Sequence, residues 1–229
     1  MDLKDHIRAA IDVDGPMPFE RFMSIALYHP EGFFGGSTLR SERGGDFLTS
    51  PEVSPRFGAT LARLVETERR RIGEGFTLCE VGAGSGSLLG PLLDAVDTTD
   101  FDTDDFDVWA VEASPAARRA LERLLPPERI VGDLDSLPAP ISGVVLANEL
   151  IDNLPMALAQ RVEGEWRERW VGAEDDSLVF VDAAARDDVV SWLDRFAGDV
   201  PDSGWVEVQI EAAGWLEELL GTRDRGSGV

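Results

Sequence analysis

Phe76-Thr77-Leu78-Cys79-Glu80-Val81-Gly82-Ala83-Gly84-Ser85-Gly86-Ser87 decides how the whole chain is read. Its first half is a short, nearly continuous apolar run. Such a run ending in glycines predicts a strand buried on both faces, as in a parallel sheet. Its second half is a turn in which three glycines alternate with small residues. Glycine lets the backbone turn sharply and approach a ligand closely. The spacing departs from the dinucleotide pattern G-x-G-x-x-G, whose third glycine would stand at Ser87, and no phosphate-binding lysine follows.

Downstream of the loop, a helix is expected from about Ser87 to Val96, then an acidic surface loop over 97–107. Val108-Trp109-Ala110-Val111-Glu112 reads as a second strand. Ser114-Pro115 supplies a cap and a first-turn proline for a helix running to about Leu125. Ile130-Val131 is a third strand, leading to Gly132-Asp133, and Ser142 to Ala147 a fourth, ending at Asn148-Glu149. Alternating strands and helices predict βαβ units and a mostly parallel sheet. Upstream, Ser54-Pro55 opens a helix carried by Phe57, Leu61, Leu64 and Val65 to about Arg71. Residues 3–13 and 18–27 read as short amphipathic helices, and 28–54 as a long Gly- and Pro-rich loop. Loops of that length in compact domains are functional or disordered, and the aromatics here favour the former.

After Pro155 the rhythm changes. Ala157–Val162, Trp166–Val171 and Leu178–Val181 read as antiparallel strands, with turns at Glu163-Gly164 and Glu174-Asp175-Asp176. A helix is expected near Asp187–Phe196. Trp205 to Ile210 fits either a strand or the start of a helix over Glu211–Leu220. Three segments result: 1–54, N-terminal helices and a covering loop; 55–155, the α/β core; 156–229, an antiparallel insertion and helices.

The chain has 229 residues and 43% hydrophobic composition, enough for a sizeable core. No apolar run approaches the roughly 20 residues of a membrane span, and no signal peptide is evident. The lone Cys79 excludes an internal disulfide and fits a reducing, cytoplasmic setting. Cys79, His6 and His29 make neither a zinc site nor a nucleophilic triad, and no metal is expected. Asp and Glu outnumber Lys and Arg 44 to 21, a net charge of −23, which disfavours nucleic acid and anionic lipid.

The chemistry-bearing residues fall at the carboxyl ends of successive strands, where open α/β sheets bind ligands. Glu112 there can accept two hydrogen bonds from the ribose of a nucleoside cofactor. Asp133 stands where an adenine amino group can be met. Asn148-Glu149-Leu150-Ile151-Asp152-Asn153-Leu154-Pro155 adds an amide and two carboxylates; if helical, Glu149 and Asp152 share a face.

The Glu80 to Gly86 loop, the acidic end of the second strand and the Asp after the third resemble class I S-adenosylmethionine-dependent methyltransferases. Gly15-Pro16-Met17-Pro18-Phe19, Tyr28-His29-Pro30-Glu31-Gly32-Phe33-Phe34, Gly45-Asp46-Phe47-Leu48-Thr49-Ser50-Pro51-Glu52 and Asn148 to Pro155 are similar to the MidA-type family, over about residues 15–155. That family includes a mitochondrial protein arginine methyltransferase needed for complex I assembly. The resemblance implies a Rossmann-like sheet with helices on both faces and S-adenosyl-L-methionine as cofactor. It assigns cofactor binding to Asp46, Thr49, Ser50, Glu80, Gly82, Gly84, Gly86, Glu112, Asp133 and Asn148. Glu149 and Asp152 become the catalytic candidates, holding a guanidinium bidentately. The implied partner is a protein substrate of respiratory complex I type, with a small-molecule methyltransferase or a non-catalytic assembly factor as alternatives. The family also implies a further core strand beyond Leu220. The chain is therefore expected to be shorter than the full fold, its fourth strand covered by the segment after Pro155 or by a second copy in a homodimer.

Overall fold

The computed structural model describes residues 2–36, 54–96, 106–138 and 140–221. The chain divides into two compact units, one from residues 1–33 and 153–216, the other from 34–152 and 217–229. Segments 1–54 and 156–229, read separately in the sequence, thus both contribute to the first unit.

In chain order the elements are α1 (Leu3–Asp14), β1 (Met17–Pro18), α2 (Phe19–Tyr28), α3 (Arg56–Ile72), β2 (Phe76–Val81), α4 (Leu89–Ala95), β3 (Phe106–Val111), α5 (Pro115–Leu121), β4 (Ile130–Val131) and β5 (Gly143–Leu146). There follow β6 (Ala157–Val162), β7 (Glu165–Glu174), β8 (Ser177–Ala184), α6 (Asp187–Phe196), β9 (Trp205–Val208) and α7 (Ile210–Gly221). Three-residue 3₁₀ turns stand at Pro127–Arg129, Leu134–Ser136 and Ile151–Asn153.

The second unit is built on a parallel sheet of order β4-β3-β2-β5. Every residue of the central β2 is buried, which is why its sequence is an almost unbroken apolar run. Phe76 and Leu78 share one face, and their cluster takes in Ala62 and Val65 of α3, Leu89 and Leu92 of α4, and Leu121 of α5. Ser114 caps α5, its hydroxyl accepting from the Ala117 amide at 3.4 Å, with Pro115 at the first helical position. These cap signals place the helix start, and hence the end of β3, where the sequence predicts them.

Among the described residues β5 pairs with β2 alone. The segment after Pro155, one of the two expected covers for this strand, instead makes a sheet of its own. Its strands alternate: Ala157 and Ala159 are fully buried while Leu158 and Gln160 are not. That pattern serves an antiparallel sheet with different surroundings on its two faces, not a neighbour for a wholly apolar parallel strand.

In the first unit the long strand β7 is the organiser. β8 runs along one edge, pairing Arg167–Glu174 with Ala184–Ser177. The other edge is shared: β6 pairs with Glu165–Arg169, and the two-residue β1 pairs Met17 and Pro18 with Val171 and Trp170. β9 adds to β6. Glu163 and Gly164 both take positive φ, 52° and 83°, giving the tight two-residue hairpin expected there. Ile7, Ile11 and Met17 pack with Val171 on one face, and Val189 and Leu193 of α6 pack with Ala157, Ala159 and Val208 on the other. The sequence left 205–210 open between strand and helix; the chain does both, β9 and then α7.

No helix among the described residues is long and apolar enough to cross a membrane.

Candidate cofactor site

The site assembles in the second unit at the carboxyl ends of β2 and β3. As the chain leaves β2, the amides of Gly82 and Ala83 both donate to the Val111 carbonyl, at 2.8 and 3.3 Å. This ties the start of the glycine loop to the end of β3. The loop closes on itself through the Gly86 amide and the Ala83 carbonyl at 2.9 Å. Gly82, Gly84 and Gly86 all have positive φ, a region costly for residues with a Cβ. Their surroundings differ. A Cβ at Gly86 would meet Leu124 Cδ1 at 2.5 Å, and one at Gly82 would meet Leu150 Cδ1 at 2.9 Å. A Cβ at Gly84 would meet nothing within 4 Å. Gly86 is thus a packing requirement, whereas Gly84 borders open space.

Glu112 follows β3 and is buried. Its Oε2 accepts from the Gly84 amide and its Oε1 from the Ser114 amide, both at 2.7 Å. Its own amide donates to the Val131 carbonyl at 2.9 Å, joining the end of β4. Burial raises its pKa, and the Ser114 and Gly84 hydrogen bonds and the Arg118 charge oppose the rise. Each carboxylate oxygen keeps a further acceptor position, since an ionised carboxylate offers about four.

Glu80, near the end of β2, is 3% exposed. Burial, and then the charge of Glu112, push its carboxyl up to about 8, against a hydrogen bond from the Leu89 backbone. Its Oε2 is buried with no hydrogen-bond partner. A buried acceptor without a donor is costly, and two buried carboxyl groups together make a place suited to positive charge.

The remaining candidates are placed less uniformly. Asp133 is exposed, and its Oδ1 accepts from the Ser136 amide and hydroxyl at 2.9 and 2.7 Å, capping the following turn. Asn148 is half-buried and Glu149 and Asp152 are exposed. Leu150, between them, lies over Gly82 and so brings this segment to the glycine loop. Glu149 has φ 51° and precedes the Ile151–Asn153 turn, so it and Asp152 do not share a helical face. Asp46, Thr49 and Ser50 lie outside the described residues.

Two residues the sequence did not single out complete the site. Arg118 Nη1 donates to the Glu112 and Ala113 carbonyls at 2.7 and 2.9 Å, and Arg123 Nη2 to the Ser85 carbonyl at 2.7 Å. They are five apart, one in α5 and one in the turn after it. No single-face spacing marks them in advance.

Residues 60–229 match the model of the Methyltransf_28 family, whose description is "Putative S-adenosyl-L-methionine-dependent methyltransferase". The chain belongs to this family. Among curated proteins, this Methyltransf_28 chain is similar to the protein arginine methyltransferase NDUFAF7 homolog, mitochondrial, of Drosophila melanogaster: 29% identity over 212 residues, 78% of this chain and 48% of that protein. The human protein arginine methyltransferase NDUFAF7, mitochondrial, is 29% identical over 208 residues, 77% of this chain and 47% of its own. The chain therefore spans about half the length of the curated relatives it matches. Among solved structures, a COG1565 superfamily member from Burkholderia thailandensis bound to S-adenosyl-homocysteine gives a TM-score of 0.78 at 31% identity, covering 96% of this chain and 59% of that one. A second structure of a COG1565 superfamily protein from the same organism gives 0.76 at 30%, covering 96% and 57%.

Proposed function

We propose that this Methyltransf_28 chain binds S-adenosyl-L-methionine at the glycine loop and Glu112, and that it methylates a protein arginine side chain. One observation carries the cofactor half: the Glu112 carboxylate is fixed at both oxygens by backbone amides, one of them in the glycine loop itself. A carboxylate held this way keeps acceptor capacity for two vicinal hydroxyls and loses little entropy on binding them. The residues also fit the rest of the cofactor. Open space at Gly84 admits close approach, and the unpartnered Glu80 Oε2 can accept from an ammonium group. Asp133 retains a second oxygen for an adenine amino group, and Asn148 adds an amide. We extend the cofactor set to Asp46, Thr49 and Ser50 through the family resemblance of the segment that carries them.

When bound, the cofactor supplies a methyl group on a sulfonium. The protein has mainly to orient the acceptor and exclude water, which supplies roughly 7–11 kcal/mol in well-oriented reactions. Glu149 and Asp152 are our candidates for holding a guanidinium and drawing its charge onto the nitrogens that do not react. The backbone at Glu149 is in the left-handed region, and such strain in a non-glycine residue costs on the order of 1–3 kcal/mol and concentrates at functional sites. The arginine acceptor rests on the curated relatives named as arginine methyltransferases, and a complex I-type subunit as substrate rests on the sequence resemblance. Residues 55–155 then form the cofactor-binding core and 156–229 the substrate side.

The test is incorporation of labelled methyl from S-adenosyl-L-methionine into lysate protein, with amino-acid analysis for methylarginine. Glu149→Gln and Asp152→Asn should lower incorporation while leaving S-adenosylhomocysteine affinity unchanged. Label in small molecules alone would favour a small-molecule methyltransferase. Cofactor binding without any transfer would favour the assembly role.

A further inference from the structure

The glycine loop is also held by groups outside the proposed catalytic set. The Ser85–Gly86 peptide is fixed at both polar atoms: its carbonyl accepts from Arg123 at 2.7 Å, and its amide donates to Ala83 at 2.9 Å. The preceding Ala83–Gly84 peptide is fixed at both ends as well, through the Gly86 amide and Glu112 Oε2. The Gly84–Ser85 peptide, at the open position, is therefore carried between two immobilised planes. Leu124, next to Arg123 in the same turn, has its side chain against Gly86, where a Cβ would come within 2.5 Å. The turn after α5 thus holds the loop by one polar and one apolar contact.

Within α5 itself, Arg118 does the same for the end of β3. Arg118 bridges the Glu112 and Ala113 carbonyls, while both Glu112 oxygens take amides of the surrounding backbone. The helix that follows β3 and the turn after it thus clamp both ligand-bearing segments with guanidinium groups. Charge-assisted hydrogen bonds from a planar, always-ionised donor suit this, because they persist at any pH at which the protein folds.

We propose that Arg123 is a positioning residue of the cofactor site, holding the Ser85 carbonyl so that the Gly84–Ser85 peptide meets the bound nucleoside. The assignment rests on the cofactor reading above. Arg123 touches no reacting atom in it; it acts through the loop.

The experiment uses the full chain as wild type, Arg123→Ala and Arg123→Lys. Affinity for S-adenosylhomocysteine is measured by calorimetry, melting temperature by thermal denaturation, and amide hydrogen exchange by mass spectrometry without ligand. We expect Arg123→Ala to raise Kd about tenfold, the order for one charge-assisted hydrogen bond, with nearly unchanged melting temperature. Arg123→Lys should recover most of the affinity. Exchange over Gly84–Ser87 should quicken in Arg123→Ala while β2 and β3 stay protected. Wild-type affinity and exchange in Arg123→Ala would overturn the proposal. So would a loss of affinity accompanied by a lower melting temperature and faster exchange throughout β2 and β3. If the wild-type chain binds no S-adenosylhomocysteine, the cofactor reading fails, and the exchange comparison still decides whether Arg123 holds the loop.

Discussion

The Glu80 carboxyl is buried close enough to that of Glu112 for the Glu112 charge to act, after burial itself, in raising its pKa to about 8. In an unfolded chain the same group titrates near 4.5. Between those values the folded state holds a proton the unfolded state has lost. Stability from this group is therefore complete below about 4.5, falls as pH rises, and is gone above about 8. Burial pushes Glu112 in the same direction. We expect the wild-type melting temperature to drop between pH 6 and pH 8.5, and Glu80→Gln to flatten that drop. An equal drop in both proteins would mean that Glu80 is not the group responsible.

Glu112→Gln should weaken S-adenosylhomocysteine binding by about 1.5–3 kcal/mol, the range for hydrogen bonds to a charged group. The amide is nearly the same shape. Yet it must turn an NH₂ toward either the Gly84 or the Ser114 amide, because both carboxylate oxygens are acceptors in the folded chain. Titration calorimetry reads the effect directly, and unchanged affinity would remove the ribose assignment.

The alanine variants of two loop glycines should separate. Gly86→Ala forces a methyl against Leu124 and Leu121, 2.5 and 3.0 Å from their nearest atoms, at φ 79°. It should cost about 1–3 kcal/mol in overpacking, plus strain, and appear as a lower melting temperature. Gly84→Ala meets no protein atom within 4 Å. It should leave the fold close to wild type, apart from about 1–2 kcal/mol of backbone strain, and obstruct the ligand instead.

Arg186 donates to both Glu20 and Glu168, and Glu168 is wholly buried. The two carboxylates hold Arg186 in its charged form. Arg186→Met strands the Glu168 charge. A loss of about 3–5 kcal/mol is expected on chemical denaturation, while Arg186→Met with Glu168→Leu should restore part of it.

The parallel sheet was readable because its signals are local. β2 is a nearly unbroken apolar run, Ser114 and Pro115 cap α5 within one turn, and the glycines occupy a loop whose backbone takes positive φ. What escaped detection is non-local. β1 is two residues long, includes a proline, and exists because β7 offers Met17 a partner at Val171. Arg118 and Arg123 look like ordinary helix-surface cations until the loops they hold are in place. The paired face expected for Glu149 and Asp152 assumed a helix that begins at neither; φ 51° at Glu149 sets it apart from the turn containing Asp152. Asp133 illustrates a third case, in which the same carboxylate serves as a cap whether or not a ligand comes.

The pairing of Met17 and Pro18 with β7 also orders events during synthesis. Among the described residues, the strands of the parallel sheet lie between Phe76 and Leu146 and emerge before any of β7 is made. The first two helices precede those strands in the chain, yet the strand that Met17 pairs with is not made until Val171 appears. At roughly 5–20 residues per second, that wait is on the order of ten seconds. During it the apolar faces of Ile7, Ile11 and Phe22, which pack in the finished chain beside Met17 and Val171, are open to chaperones. The sheet pairing of β1, between α1 and α2, is thus completed only once β7 has been made.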